Sequence, residues 1–408
     1  MLFFALVIST LLTCQVGATP VIVSDGQFEK RQGFLGGLVG NLVNNGYGKV
    51  PDIPDASPRK VELQNRTPQV QEAKTVKIRY GPYKVPNMGR KSVMGESGTL
   101  FNYPDVNIER PCEGECVLLG ISAGLEYANG TDANTADGMW LHHMVAFTVG
   151  ANRMDPTCVG RTSLPHMVIG SDASKSERFY SSGNERGQAR FNPPWVKDSI
   201  MGYYLLPTDK FAFIVDLMNQ NMEDKTVYMT MTYDYVEGRP AGIDNIKAIW
   251  LDAAQCGTSE IPPKSQDGAY SVKYGWTANI EGDILGAGGH VHDGGTHLTL
   301  KVDGNEVCDA VATYGSGKGA MGGPAGGMGG GATAAGKPAA AGANPTEHIT
   351  AMSACFGDKL GVKRLVKGQQ WELEGFYDYT KHPGMKHENG KQENVMAISI
   401  MYIKNPKV

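Results

Sequence analysis

From about Thr75 onward the chain is written in short runs in which apolar and polar residues alternate, each closed by Gly, Pro, Asn or Asp. Val76-Lys77-Ile78-Arg79-Tyr80 ahead of Gly81-Pro82 is representative. A period of two puts alternate side chains on one buried face, so such runs read as strands. The same grammar predicts strands over 116–121, 142–149, 211–217, 227–236, 246–251, 297–302, 371–377 and 396–403. Few windows sustain three helical turns. The fold class expected is therefore all-β, with two antiparallel β-sandwich domains over 75–256 and 257–408.

Three stretches fall outside this pattern. Residues 2–16 are nearly all apolar and uncharged, and Val16-Gly17-Ala18 follows. That is the layout of a signal peptide over 1–19, too short to span a bilayer, and it implies a secreted, extracellular or wall-associated product with no stable membrane anchor. Residues 20–74 read as propeptide and linker. Glu29-Lys30-Arg31 is either a kexin-like processing site or a solvated basic pair, and 32–60 is rich in Gly and Asn, with Pro51, Pro54 and Pro58. Residues 315–343 are almost entirely Gly and Ala and are expected to be a disordered insertion between strands. Its Met321 and Met328 carry soft thioethers that suit Cu(I), but a spacer is the plainer reading.

Composition narrows the chemistry. Of seven cysteines, Cys14 lies in the leader; the even remainder, Cys112, Cys116, Cys158, Cys256, Cys308 and Cys355, reads as up to three disulfides whose pairing is left open. Structural zinc is disfavoured, because Cys112 and Cys116 are three residues apart and no second knuckle follows. Asn65-Arg66-Thr67 and Asn129-Gly130-Thr131 are glycosylation sequons. A formal net charge of −4 without a basic cluster argues against a nucleic-acid partner.

The segment Gly288-Gly289-His290-Val291-His292-Asp293-Gly294-Gly295 carries the strongest chemical signal. On an extended strand, residues two apart face the same way, so His290 and His292 can converge on one transition metal, with copper the leading candidate. Two hydrogen-bonded strand histidines are the plainer alternative. The HxHxDH pattern of metallo-hydrolases is absent, since Gly294 and Gly295 stand where its Asp and His belong. A second signal is His142-His143-Met144. Adjacent strand residues face opposite ways, so these two histidines can share an ion only if the strand is locally distorted.

His142-His143-Met144, the later His-Val-His and a terminal strand containing methionine resemble, in that order, the ascorbate-dependent copper monooxygenases, namely peptidylglycine alpha-hydroxylating monooxygenase and dopamine beta-monooxygenase. The Gly-Gly-His-Val-His-Asp-Gly-Gly block is similar to the stress up-regulated nodulin-type family. The resemblance implies a two-sandwich fold and a catalytic copper held by His290, His292 and Met396, with Met401 in reserve. It also implies an electron-donating copper at His142, His143 and a third histidine. The segment 211–218, where that histidine belongs, has none, and His166 lies in a loop. His297 and Asp293 rank below Met396 as ligands, and the cluster of His382, Met385 and His387 reads as a solvated loop.

Two functions follow as expectations. One is a secreted copper-dependent oxidoreductase that oxidises a C–H bond of a small-molecule or peptide substrate. The other is a non-catalytic secreted metal-binding or stress-related β-sandwich. A glycan-binding wall protein, in which the histidines only hydrogen-bond, stands third.

Overall fold

A computed structural model of the chain describes residues 40, 43–184, 186–192, 199–314, 348–387 and 389–405. The expected leader, the Lys30-Arg31 pair and the Gly/Ala-rich segment lie outside these residues. What is described is almost all β, as the alternating pattern requires. Its only α-helix, among the described residues, that spans a full turn is Leu164–Val168. No described helix is long and apolar enough to cross a membrane.

A 12-stranded sheet forms the backbone of the molecule. Its main path runs through Gly48–Lys49, Lys74–Val85, Lys225–Glu237, Cys116–Glu126, Ile200–Leu205, Ile243–Asp252, Ala397–Lys404, Gly282–Val291 and Ala354–Cys355. A four-stranded sheet, Thr99–Ile108, Lys210–Asn219, Met139–Val149 and Ser176–Gly183 in that order, packs on it. A five-stranded sheet of Ala269–Thr277, Gln370–Asp378, Gly295–Val302, Asn305–Tyr314 and Ile349–Met352 packs elsewhere on it. Thr99–Ile108 escapes the sequence pattern because Pro104 interrupts it. As an edge strand it tolerates a residue without an amide hydrogen.

Strand parity shows how the layers are arranged. In Ile243–Asp252, Ile246 and Ala248 face the core shared with the four-stranded sheet, whereas Ile249 and Leu251 face the core shared with the five-stranded sheet. Ala397–Lys404 divides the same way, Tyr402 to the first core and Met401 and Ile403 to the second. Alternate residues point to opposite faces, so the two small sheets cover opposite sides of the long one. Each fully buried large apolar side chain, Phe213 in one core or Trp371 in the other, contributes about 1.5–3 kcal/mol.

All six cysteines downstream of the leader are paired, as the even count anticipated: Cys112 with Cys116, Cys158 with Cys256, and Cys308 with Cys355.

Candidate metal centre

The strand Met139–Val149 is distorted where it carries the two adjacent histidines. Against Lys210–Asn219, His143 pairs with Asp216 and Leu141 with Leu217, which leaves His142 as an extra residue, a β-bulge. Core membership shifts phase across it: Met139 and Leu141 point inward before the bulge, Met144 and Ala146 after it. His142 and His143 therefore both point outward. The distortion that a shared ion needs is built into the strand.

Their outer face meets the long sheet. In Gly282–Val291 the side chain of Val291 is packed in the second core, so His290 and His292, on either side of it, turn to the opposite face. That face carries Trp250, Met396 and Ile398, packed against Val145 two residues after His143. Histidines about 150 positions apart in sequence are thus brought together. The ring centroids of His142 and His143 are 4.6 Å apart, those of His142 and His292 5.3 Å, and those of His143 and His292 6.5 Å. One ligand atom from each of the three lies within 4.8 Å of the others.

The remaining sequence candidates fall around this triad. The His290 ring lies 5.7 Å from that of His292 and nearly perpendicular to it. Met396 is buried against Trp250, and its carbonyl accepts the Tyr377 hydroxyl, which in turn accepts the His292 backbone N–H at 3.1 Å. Met401 faces the second core. His166 is buried elsewhere, bonded to Ser163 at 2.7 Å. His297 stacks on Phe376 and His382 on Tyr314. Asp293 holds His348 at 2.6 Å, and the His348 ring in turn meets Trp140 edge-on.

Hydrogen bonds set the tautomers. His142 Nδ1 donates to Asp216 at 3.1 Å, and His292 Nδ1 donates to the Asn394 carbonyl at 3.0 Å. Each therefore turns its Nε2 away from that bond, and these two atoms, with both ring nitrogens of His143, are buried without a hydrogen-bond partner among the described residues. Leaving such atoms bare costs roughly 1–3 kcal/mol each, so this arrangement calls for a ligand. Imidazoles fixed by an outer hydrogen bond are what a late transition metal takes.

The electrostatics agree. Eight buried carboxylates elsewhere, Asp105, Glu126, Asp155, Glu177, Asp209, Asp234, Asp252 and Glu374, each lie within 4 Å of a Lys or Arg. Three buried carboxylates, Glu96, Asp216 and Asp293, have no such partner among the described residues, and all three stand around the histidines. Burial, followed by Asp216 and Glu260, pushes Glu96 up to about 8, and burial with Asp216 takes Glu260 up to about 7. Burial opposes charging of His142, but the Asp216 bond and charge outweigh it and raise the imidazole to about 9. Burial and the neighbouring imidazoles hold His143 and His292 well below the usual histidine range. Asp216, which pairs with no Lys or Arg among the described residues, set beside the neutral imidazoles of His143 and His292, is an arrangement that suits a cation.

Sequence reasoning missed Asp216, Glu96, Glu260 and Asn394. Only Asp216 left a trace, as a lone carboxylate within the apolar run 211–218. It also accepts the Asn102 amide at 3.1 Å, so it is locked from two sides. Replacing it, Asp216→Asn, is expected to weaken metal binding about 10- to 100-fold, the usual worth of a partner that orients a ligand imidazole. Competitive titration against a chelator measures this, and an unchanged affinity would refute the role.

No protein-family model matches the chain. Two relatives do. Probable copper-dependent oxygenase M1 of a Phoma species is 27% identical over 345 residues, 84% of this chain and 75% of the relative. Probable copper-dependent oxygenase clz3 of Cochliobolus lunatus is 27% identical over 286 residues, 69% of this chain and 78% of the relative. The chain is thus a distant relative of proteins named as copper oxygenases, and neither name refers to the nodulin-type family. Among solved structures PNGF-II overlays at a TM-score of 0.35 and 9% identity, over 81% of this chain and 65% of that one, too loosely to bear on the fold.

Proposed function

We propose that this protein is a secreted copper-dependent oxygenase with one copper centre, held by His142, His143 and His292, that acts on a small organic or peptide substrate. The observation that carries the reading is the convergence of three imidazoles, whose inward nitrogens are buried without hydrogen-bond partners, on a spot where buried carboxyl groups have no Lys or Arg partner among the described residues. Distant kinship to proteins named as copper-dependent oxygenases supplies the metal. Three disulfides, which form and persist in oxidising compartments, support export.

Copper bound there supplies one-electron redox chemistry toward dioxygen. The chain's own part is to hold and shield. Asp216 and the Asn394 carbonyl fix the His142 and His292 rings with Nε2 presented. The His142 bulge turns two consecutive imidazoles to one side. Trp140, Trp250 and Met396, each 5% exposed or less, keep water from the flanks. Glu96 and Glu260, raised by burial into the neutral range, each hold a proton on a carboxyl oxygen beside the site and can release it near pH 7.

Loading purified protein with copper and following dioxygen with an electrode tests the proposal. Ascorbate is expected to drive oxygen consumption in the loaded protein, and His143→Ala to abolish it. Protein that holds one equivalent of copper yet consumes no oxygen under reductant would leave a copper-binding module without turnover.

A further inference from the structure

Away from the histidines, a cleft of about 560 Å³ opens between the segment Asn44–Tyr47, the end of the strand Lys74–Val85 and the loop that follows it. Its cationic residues are Lys84, Arg90 and Lys91, its polar neutral ones include Ser92 and Thr99, and no carboxylate lines it among the described residues. In a chain whose formal net charge is −4, that is a local reversal of sign.

We infer that this cleft is a binding site for a small organic oxyanion, a compound with a phosphate, sulfate or carboxylate group. Charge is the first argument. Asp224, just outside the lining, pairs with Lys84 at 3.1 Å and also accepts the Tyr47 hydroxyl at 3.2 Å and the Asn87 amide at 2.7 Å. Its one negative charge is thus spent on Lys84. No carboxylate pairs with Arg90 among the described residues, so its guanidinium is available to grip an oxyanion with two parallel N–H donors.

Shape is the second argument. Asn44 to Tyr47 form a tight turn closed by the Tyr47 amide on the Asn44 carbonyl at 2.9 Å, with positive φ at Asn45 and Gly46. A Cβ built at Gly46 in this Asn-Gly turn would meet nothing within 4 Å, so the wall is open to a ligand at that point. Thr99 and Asn44 are buried beneath, and the Asn44 amide is fully engaged with Gly40 and Phe101. The floor is therefore preformed. A volume in the range of small-molecule sites exceeds what a bare inorganic ion fills, and Tyr47 and Pro86 offer apolar wall to the rest of an organic ligand. Concave cationic surface also focuses its field, which separates it from a flat rim of solvated lysines.

Isothermal titration of the full chain at low salt, with inorganic phosphate in one arm and succinate in the other, tests the site. Saturable one-site binding is expected in at least one arm, and which arm responds tells phosphate chemistry from carboxylate. Arg90→Gln is expected to weaken it at least about 10-fold and Arg90→Glu to abolish it. Neither substitution should change the thermal midpoint without ligand, because Arg90 is exposed. His143→Ala is expected to bind the probe as the wild type does, which keeps this site apart from the histidine cluster. Non-saturating heats in both arms, or equal binding by wild type and Arg90→Glu, would overturn the inference.

Discussion

His143→Ala and His292→Ala are each expected to lose the same single equivalent of copper, with affinity falling more than about 100-fold. An orienting partner alone is worth about 10- to 100-fold, and a ligand is worth more. The two residues come from different sheets, His143 from the four-stranded sheet and His292 from the end of a strand of the long one. A common loss is the signature of one centre shared between them. Met396→Ala is expected to keep the copper, because that side chain packs on Trp250 and Ile398. Elemental analysis of the purified variants, with circular dichroism to show that they fold, decides the matter. Two independent equivalents, one lost with His143 and the other with His292 and Met396, would restore the two-copper arrangement implied by the monooxygenase resemblance.

Removing the Cys158–Cys256 bond is expected to have the largest effect on stability. It closes a loop of 98 positions, and cross-links of that span restrict the unfolded chain by about 2–5 kcal/mol. It also holds a buried ionic cluster. Arg178, 1% exposed, donates to Asp155 at 2.7 Å and to Cys158 Sγ at 3.3 Å, and its guanidinium lies 4.7 Å from the Trp250 ring centre. The double variant Cys158→Ala/Cys256→Ala is expected to melt roughly 3 to 7 °C lower by scanning calorimetry. Because Trp250 packs on Met396 beside the histidines, copper affinity should fall modestly while the stoichiometry stays at one. A midpoint within about 2 °C of wild type would show that the charge cluster holds without the bond.

Much of the fold was legible because its cause is local. The alternation in 76–80 or 227–236 is imposed by burial of one strand face, and it survives as a pattern in the text. Strands with irregular chemistry were not legible. Pro104 disguises an edge strand, and Gly282, Gly286, Gly288 and Gly289 hide how far the strand that carries His290 extends. At the site, His142, His143 and His292 announced themselves by residue type. Glu96 and Glu260 did not, since a glutamate destined for burial beside imidazoles looks like any other in a sequence.

By itself, then, the sequence determined the β class, the pool of cysteines and the two histidine motifs, all of which follow from neighbours a few residues apart. Tertiary structure alone decided that His142 and His143 of one motif meet His292 of the other. That outcome depends on a single extra residue at His142, which turns both imidazoles outward, and on small sheets packed on opposite faces of the long sheet. It also selected Asp216 to hold His142. Such choices rest on register and on contacts between residues that lie 74 and about 150 positions apart, which no local pattern encodes.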